Sequence, residues 1–449
     1  MGGKHYLPLT DEDRREMLST IGVESIEDLF SDIPSEVRLQ KELDLPPALS
    51  ELEAVRHLNS LAAKNKHLNT CTSFMGAGVY DHFIPAVIKH VTGRSEFYTS
   101  YTPYQPEISQ GILQAIFEYQ TMICQLTGMD VANASMYDGG TAVAEGAIMG
   151  CGSTRRSKAL VSRSVSPFYR AVLKNYFSSR GLDLEEIPLK DGHTDFSKLE
   201  EMVDDQVASV VLQQPNFFGL AEDLDGVADI IHNHNAVLVM SVDPLSLTLL
   251  QAPADYGADI VVGEGQSLGV PPSFGGPLLG IMAARQKFVR QMPGRIAGET
   301  VDSEGNRGFV LTLQTREQHI RREKASSNIC SNEALVALAA AVYMAALGPK
   351  GMREVAEQCL QKANYAREKI TALSGFEPAF PGFNFKEFAL SIPGKPEELN
   401  KKLLQKDILG GVDAAPFYPE LENTMLFAVT EKRTREEIDT LVRELEGWK

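Results

Sequence analysis

Residues 258–277 read ADIVVGEGQSLGVPPSFGGP. The first five form an apolar run of strand length, and the remainder is a loop crowded with glycine and proline. A strand end held by its sheet, followed by backbone that glycine leaves free to approach a ligand, delivers a side chain to a cleft. The side chain delivered here is Gln266. An amide neither ionises near neutral pH nor forms a Schiff base, so the position carries no nucleophile.

Outward from this loop the chain alternates helix-like and strand-like segments. Helices are predicted over about 106–126, from Thr141, from Pro167 and over about 222–234. Strands are predicted at KALVS (158–162), VASVVLQ (207–213), AVLVMSV (236–242) and LLGIMAA (278–284). Short apolar runs separated by helices of this size predict an α/β layer with a mostly parallel central sheet, whose ligands sit at the carboxyl ends of the strands. Beyond about 325 the texture changes. A long helical region (332–374) with a break near Gly348 and Pro349 leads to strand KEFALSI, a helix near 395–406, strand TMLFAVT and a last helix opened by the capping box Thr434–Glu437. At the other end, Thr10 caps a helix that stops at Gly22, and Ser25 with Asp28 opens a second short one. The expected organisation is an N-terminal arm of short helices (1–65), a large α/β domain (66–325), and a long connecting helix with a small α+β domain (326–449).

Composition narrows the function. Lys and Arg number 43 against 60 Asp and Glu, a formal charge of −17, which disfavours nucleic acid and anionic membrane surfaces as partners. Five cysteines, Cys71, Cys124, Cys151, Cys330 and Cys359, are widely spaced with no C-x-x-C pair, which argues against a zinc site or a disulfide framework and for a reducing compartment. The start shows no signal-like apolar core, and the uncharged stretch from Ala334 to Leu347 falls short of the ~20 residues that span a bilayer. A cytoplasmic protein with a buried alanine-rich helix is expected.

Three features bear on chemistry. Gly139, Gly140 and Thr141 stand where a helix begins, either as an anion seat or as a plain N-capped turn. Asp243, after the AVLVMSV strand, suits either a heterocyclic N–H⁺ or a turn. Together with the loop after ADIVV they reproduce the layout of a pyridoxal-phosphate enzyme, in which the loop residue is a lysine. Lys287 lies beyond the following strand and Lys324 in a charged helix-like run, so no internal aldimine is expected. Elsewhere, Tyr98, Tyr101 and Tyr104, stiffened by Pro103 and Pro106 and joined by Gln105 and Glu107, read either as an aromatic wall reaching a partner's active site or as interface packing. Arg316, His319, Arg321 and Arg322 suit a phosphate or an acidic partner, or else a solvated helix. His82 and His193 are isolated, read as packing or surface residues, and no metal site is expected.

The resemblance becomes specific over long stretches. YLPLTDEDRREML, IPSEVRL, SFMGAGVYDHFIPAVI, YTSYTPYQPEISQGILQAIFEYQTMICQLTGMDVANAS, DGGTAVAEG, the GEGQSLGVPPSFGGP loop and TLQTREQHIRREKASSNICSN are similar to the α subunits (subunit 1) of the glycine-decarboxylating P-proteins, from glycine cleavage systems whose P-protein is split into two chains. The resemblance covers essentially the whole sequence. It implies the PLP-dependent transferase fold (fold type I). It also implies a β subunit (subunit 2) as partner, in an expected α2β2 heterotetramer that decarboxylates glycine and passes the aminomethyl group to the lipoyl arm of H-protein. The β-subunit loop resembles a His-Lys-Thr run; counting back from Gly275, Gly276 and Pro277 sets Gln266 opposite its Schiff-base lysine. PLP is then expected covalently on the β subunit and not on this chain. A vestigial pocket of Gly139, Gly140, Thr141, Asp243 and Gln266 would remain. Two alternatives stay open: a homodimeric class V aminotransferase-like enzyme, which position 266 opposes, and a non-catalytic regulatory binding protein.

Overall fold

A computed structural model describes residues 8–39, 41–329 and 331–448; Cys330 and the first seven residues, part of the signal-peptide reading, lie outside them. The chain forms two compact units, Met1–Lys66 and His67–Lys449. In the first, Thr10 caps α1 (Asp11–Ile21) through a capping box, and Gly22 ends it with φ 88°. Ser25 caps a 3₁₀ turn, Ile26–Phe30. Ser50 caps α2 (Glu51–Ala62), whose Leu52, Val55 and Leu58 are exposed. None of these three elements buries a residue.

The second unit is built on a seven-stranded sheet. In chain order its strands are β1 (Val131–Ala132), β2 (Lys158–Ser162), β3 (Asp183–Ile187), β4 (Val207–Gln214), β5 (Val237–Val242), β6 (Ile260–Glu264) and β7 (Gly280–Ala284). Their spatial order is β1-β7-β6-β5-β4-β2-β3. Strands β2 to β6 pair parallel, and β7 runs antiparallel to both neighbours. The central strands are buried on both faces, as continuous Val-, Ile- and Leu-rich runs require. Helix α3 (Gln110–Thr127) packs over β1, while α4 (Gly139–Thr154) lies across β4 to β7. Gly146 and Gly150 let α4 close on the sheet: a Cβ on Gly150 would lie 2.7 Å from Ser209 Cβ.

The predicted helix at 222–234 shrinks to Val227–His232, because Gly226 caps it with φ 75°. A hairpin absent from the sequence reading, β8 (Ile296–Val301) with β9 (Arg307–Thr312), packs on α3. The long helix α5 (Ala334–Thr371) breaks at Gly348 (φ 61°, ψ 178°). By length and apolar composition it could cross a membrane, but its first half packs on α3, burying Ala337, Ala340, Ala341 and Tyr343. The same unit also holds a four-stranded antiparallel sheet: β10 (Glu377–Pro378), β11 (Glu387–Ser391), β12 (Val412–Asp413) and β13 (Thr424–Ala428). The start of β11 meets the turn that follows β4 at a tight point. A Cβ on Gly219 would sit 1.8 Å from the Glu387 carbonyl oxygen.

Candidate functional site

Strands β5 and β6 end side by side, and their ends open a cleft whose other wall is the segment around Tyr80 and the start of β11. Gln266, two residues past β6, is 1% exposed. Its amide is consumed by backbone: Nε2 donates to Tyr80 O (3.0 Å) and Val270 O (2.6 Å), and Oε1 accepts from Tyr80 N (2.9 Å). An unpaired buried amide is costly, so the side chain is fixed as a staple between loops.

Asp243 stands where expected, after β5, but a side chain already fills its front. Lys386, 2% exposed at its side chain, places Nζ 2.5 Å from Asp243 Oδ2. The same ammonium lies 3.1 Å from His82 Nε2 and 3.8 Å from the Tyr80 ring centroid. Asp243 Oδ1 accepts from Leu245 N. Of the lysines weighed from the sequence, Lys287 and Lys324, neither is placed at the strand end, and Lys386 is not considered there. Lys287 pairs with Asp259 away from the cleft, while Lys386 enters it from the far end of the chain.

The helix start is also taken. Glu264, the last residue of β6, accepts from Gly139 N (2.9 Å), Gln266 N (3.0 Å) and Leu279 N (2.9 Å). Asp138 Oδ1 caps Thr141 N (2.7 Å) and accepts from its hydroxyl. Above the glycines, a Cβ on Gly139 would lie 2.7 Å from Tyr169 Oη, and one on Gly140 would be 3.2 Å from Asp138 Oδ1. Asp138 thus N-caps the turn, and Glu264 engages the Gly139 N–H. Next to Lys386, Glu387 accepts from Ala77 N (2.6 Å) and Tyr80 Oη (2.8 Å). Burial pushes Glu264 and Glu387 each up to about 7, against the pull of these hydrogen bonds. What remains open is a cavity of about 50 Å³, room for a few waters. Pyridoxal phosphate does not fit these residues: the strand end carries an amide where an amine is needed, Lys386 occupies the ring-nitrogen acceptor, and Glu264 faces the helix start.

His82, expected to be isolated, is a buried link. Its Nδ1 pairs with Glu431 Oε2 at 2.7 Å, and Cys359 Sγ donates to the same oxygen at 3.4 Å. Burial and the Lys386 charge lower the His82 pKa, while at Glu431 burial raises the carboxyl but the His82 bond outweighs it and holds it down at about 2. The three ligand atoms lie within 4.8 Å of one another, as metal ligands can, yet each is engaged in this hydrogen-bonded chain. His193 folds back on its own loop, at Asp191 O.

The tyrosine loop is a separate region. Tyr98 sits in a helical turn, Ser95–Tyr98, rather than in extended backbone. Tyr98 and Tyr101 are 69% and 85% exposed, and their hydroxyls make no hydrogen bond among the described residues. Tyr104 is anchored: Arg295 Nη2 donates to its hydroxyl (3.0 Å), and the His319 ring meets it edge-on. Gln105 and Glu107 are exposed beside it. The Arg316 run is not one helix but short turns, since Arg322 takes φ 55°. His319, Arg321 and Arg322 face solvent, whereas Arg316 is buried and gives one donor to Met292 O. Its Nε and Nη2, and Nε of Arg295, are buried without a partner among the described residues.

Set beside known proteins, the description glycine cleavage system P-protein fits residues 4–445. A chain named probable glycine dehydrogenase (decarboxylating) subunit 1, from Carboxydothermus hydrogenoformans, is 57% identical over 98% of this chain and 99% of its own. A crystal structure of glycine decarboxylase (P-protein) of the glycine cleavage system, in inhibitor-bound form, superposes with a TM-score of 0.91 at 46% identity, covering 98% of this chain and 99% of that one. Glutamate decarboxylase from Lactobacillus brevis, 12% identical with a TM-score of 0.68 over 91% of this chain and 94% of its own, shares the fold alone. That fold is the type I arrangement of PLP-dependent enzymes.

Proposed function

The chain belongs to the glycine cleavage system P-protein family, and on that premise we propose that it works as the cofactor-free α half of a glycine decarboxylase. The observation that carries this reading is Gln266: at the strand end where the chemistry needs an amine, an amide is bound on all sides by Tyr80 and Val270. In the complex, pyridoxal phosphate supplies the electron sink for losing CO2 from glycine. We place that cofactor on the β subunit, and assign to this chain the completion of an α2β2 assembly that works in the cytoplasm and serves lipoylated H-protein.

What this chain offers the partner is read from its unfinished polar groups. Arg295 and Arg316 hold buried guanidinium N–H groups with no acceptor among the described residues, a costly state that a carboxylate or phosphate from across an interface relieves. Tyr104 is held between Arg295 and His319, and Tyr98 and Tyr101 stand exposed nearby in sequence. These tyrosines, with Gln105 and Glu107, form the proposed wall of the partner's active site; Arg316, His319, Arg321 and Arg322 form its anionic contact. The apolar stripe of Leu52, Val55 and Leu58 on α2 suits subunit contact as well. The test is reconstitution. This chain alone releases no CO2 from glycine, the two chains together do so with H-protein present, and a sizing column shows them coeluting. Separate elution and full activity of the β chain alone would contradict the proposal.

A further inference from the structure

A pyridoxal phosphate site needs three things from a protein: an anion for the ring N–H⁺, a helix N-terminus for the phosphate and an amine for the aldehyde. This cleft keeps the first two and fills both from within. Asp243 faces the Lys386 ammonium, which the Tyr80 ring covers as one wall of the slot. The Gly139 N–H at the helix start faces the Glu264 carboxyl, under Tyr169. Where the aldehyde would go, Gln266 binds loop backbone.

We infer that Lys386 and Glu264 are the cleft's built-in occupant, cation for ring and carboxyl for phosphate, closing it to pyridoxal phosphate and clamping the C-terminal sheet to the large sheet. The inference rests on the proposed division of labour between the two subunits and adds its physical cause. A missing lysine alone leaves a pocket that still binds the cofactor without a covalent bond. A filled pocket does not. The clamp follows from position, because Lys386 immediately precedes β11, and Glu387 beside it holds the Ala77–Tyr80 segment. Lys386 is thus a positioning residue that joins three parts of the chain distant in sequence: β5's end, the Tyr80–His82 segment and β11.

Chemical rescue in the full-length chain tests this. Lys386→Ala removes a propylammonium-shaped piece in front of Asp243. Propylammonium chloride, compared with sodium chloride at equal ionic strength, is expected to raise the melting temperature of Lys386→Ala by several degrees and to leave wild type and Asp243→Asn/Lys386→Ala unmoved. Pyridoxal phosphate is expected to shift the wild-type melt not at all. If Lys386→Ala does not fold, Asp243→Asn tests the same pair: it strands a buried ammonium and is expected to melt lower than wild type. Lys386→Ala and Asp243→Asn melting like wild type would overturn the inference. So would a wild-type melt raised by pyridoxal phosphate in a manner that Asp243→Asn abolishes. Glycine decarboxylation by the wild-type complex reports on the proposed function separately. Uptake of pyridoxal phosphate by this chain with decarboxylation intact sinks the built-in occupant and the cofactor-free status of this half but leaves its place in a glycine decarboxylase standing, whereas melts as expected without decarboxylation sink that place alone.

Discussion

The cleft at the ends of β5 and β6 and the loop carrying Tyr98, Tyr101 and Tyr104 treat their polar groups in opposite ways. In the cleft the charged and amide groups answer one another: Asp243 meets Lys386, Gly139 N–H meets Glu264, and Gln266 meets Tyr80 and Val270, with the Ser267 hydroxyl alone of the lining side chains buried and unpartnered among the described residues. Around the loop the donors are left over, on Arg295 and Arg316, and two tyrosine hydroxyls are unengaged among the described residues. Burial without a partner is expensive, so a group left that way points outside the chain. On the proposed division of labour, the catalytic-looking geometry is the structural part and the irregular loop the part that meets a partner.

The largest effect is expected at the finished site. Lys386→Met leaves Asp243 facing an apolar side chain and removes His82's donor, and breaking one side of a buried pair costs roughly 3–5 kcal/mol. Urea unfolding of the isolated chain should show it; a midpoint within error of wild type would make the cleft as loose as the loop. A somewhat smaller, pH-dependent effect is expected at Glu387. Its folded pKa is raised from 4.5 to about 7, so its contribution to stability is fullest below 4.5, falls as pH rises towards 7 and is flat beyond. Glu387→Gln keeps an acceptor for Ala77 N and a polar contact for Tyr80 but removes the titration. Its stability relative to wild type should rise by roughly 3 kcal/mol between pH 4.5 and pH 8, at about 1.4 kcal/mol per pKa unit. A constant difference across that range would show that Glu387 does not titrate as a buried carboxyl.

At the loop the signs invert. Tyr98→Phe and Tyr101→Phe should leave the isolated chain's stability nearly unchanged, whereas Tyr104→Phe strands a donor of the buried Arg295 and should cost roughly 1–3 kcal/mol. At least one should lower glycine turnover in the assembled complex by about ten- to hundred-fold, the weight of roughly 1–3 kcal/mol in a hydrogen bond to a reacting group. Full turnover in all three would make the loop packing material. The smallest stability effect is expected for Arg321→Ala and Arg322→Ala, within about 0.5 kcal/mol for exposed side chains. Association with the partner should nonetheless weaken and lose part of its salt dependence. Unchanged association would remove these two residues from the interface.

The sheet was largely legible because its central strands are unbroken apolar runs: KALVS coincides with β2, and AVLVMSV contains β5. The edge strand β3, DLEEI, was missed because it is exposed and acidic and carries no apolar pattern. Hairpin β8–β9 escaped for a similar reason, with four of its twelve residues buried and the rest partly or fully exposed. In the cleft, Asp243 and Gln266 were legible as strand-end residues. Lys386 was not, since it opens the apolar strand KEFALSI and meets Asp243 only through tertiary packing. Glu264 was readable in principle: it lies in the stretch quoted at the outset and ends the apolar strand, two residues before Gln266.

The central claim is that this chain's cleft is closed and the cofactor belongs to its partner. Borohydride reduction of the assembled α and β chains with pyridoxal phosphate, followed by mass spectrometry of each chain, tests it most directly. The expected result is a pyridoxyl group on a lysine of the β chain and none on this one. A stoichiometric pyridoxyl group on Lys386, or on any other lysine here, would contradict the account.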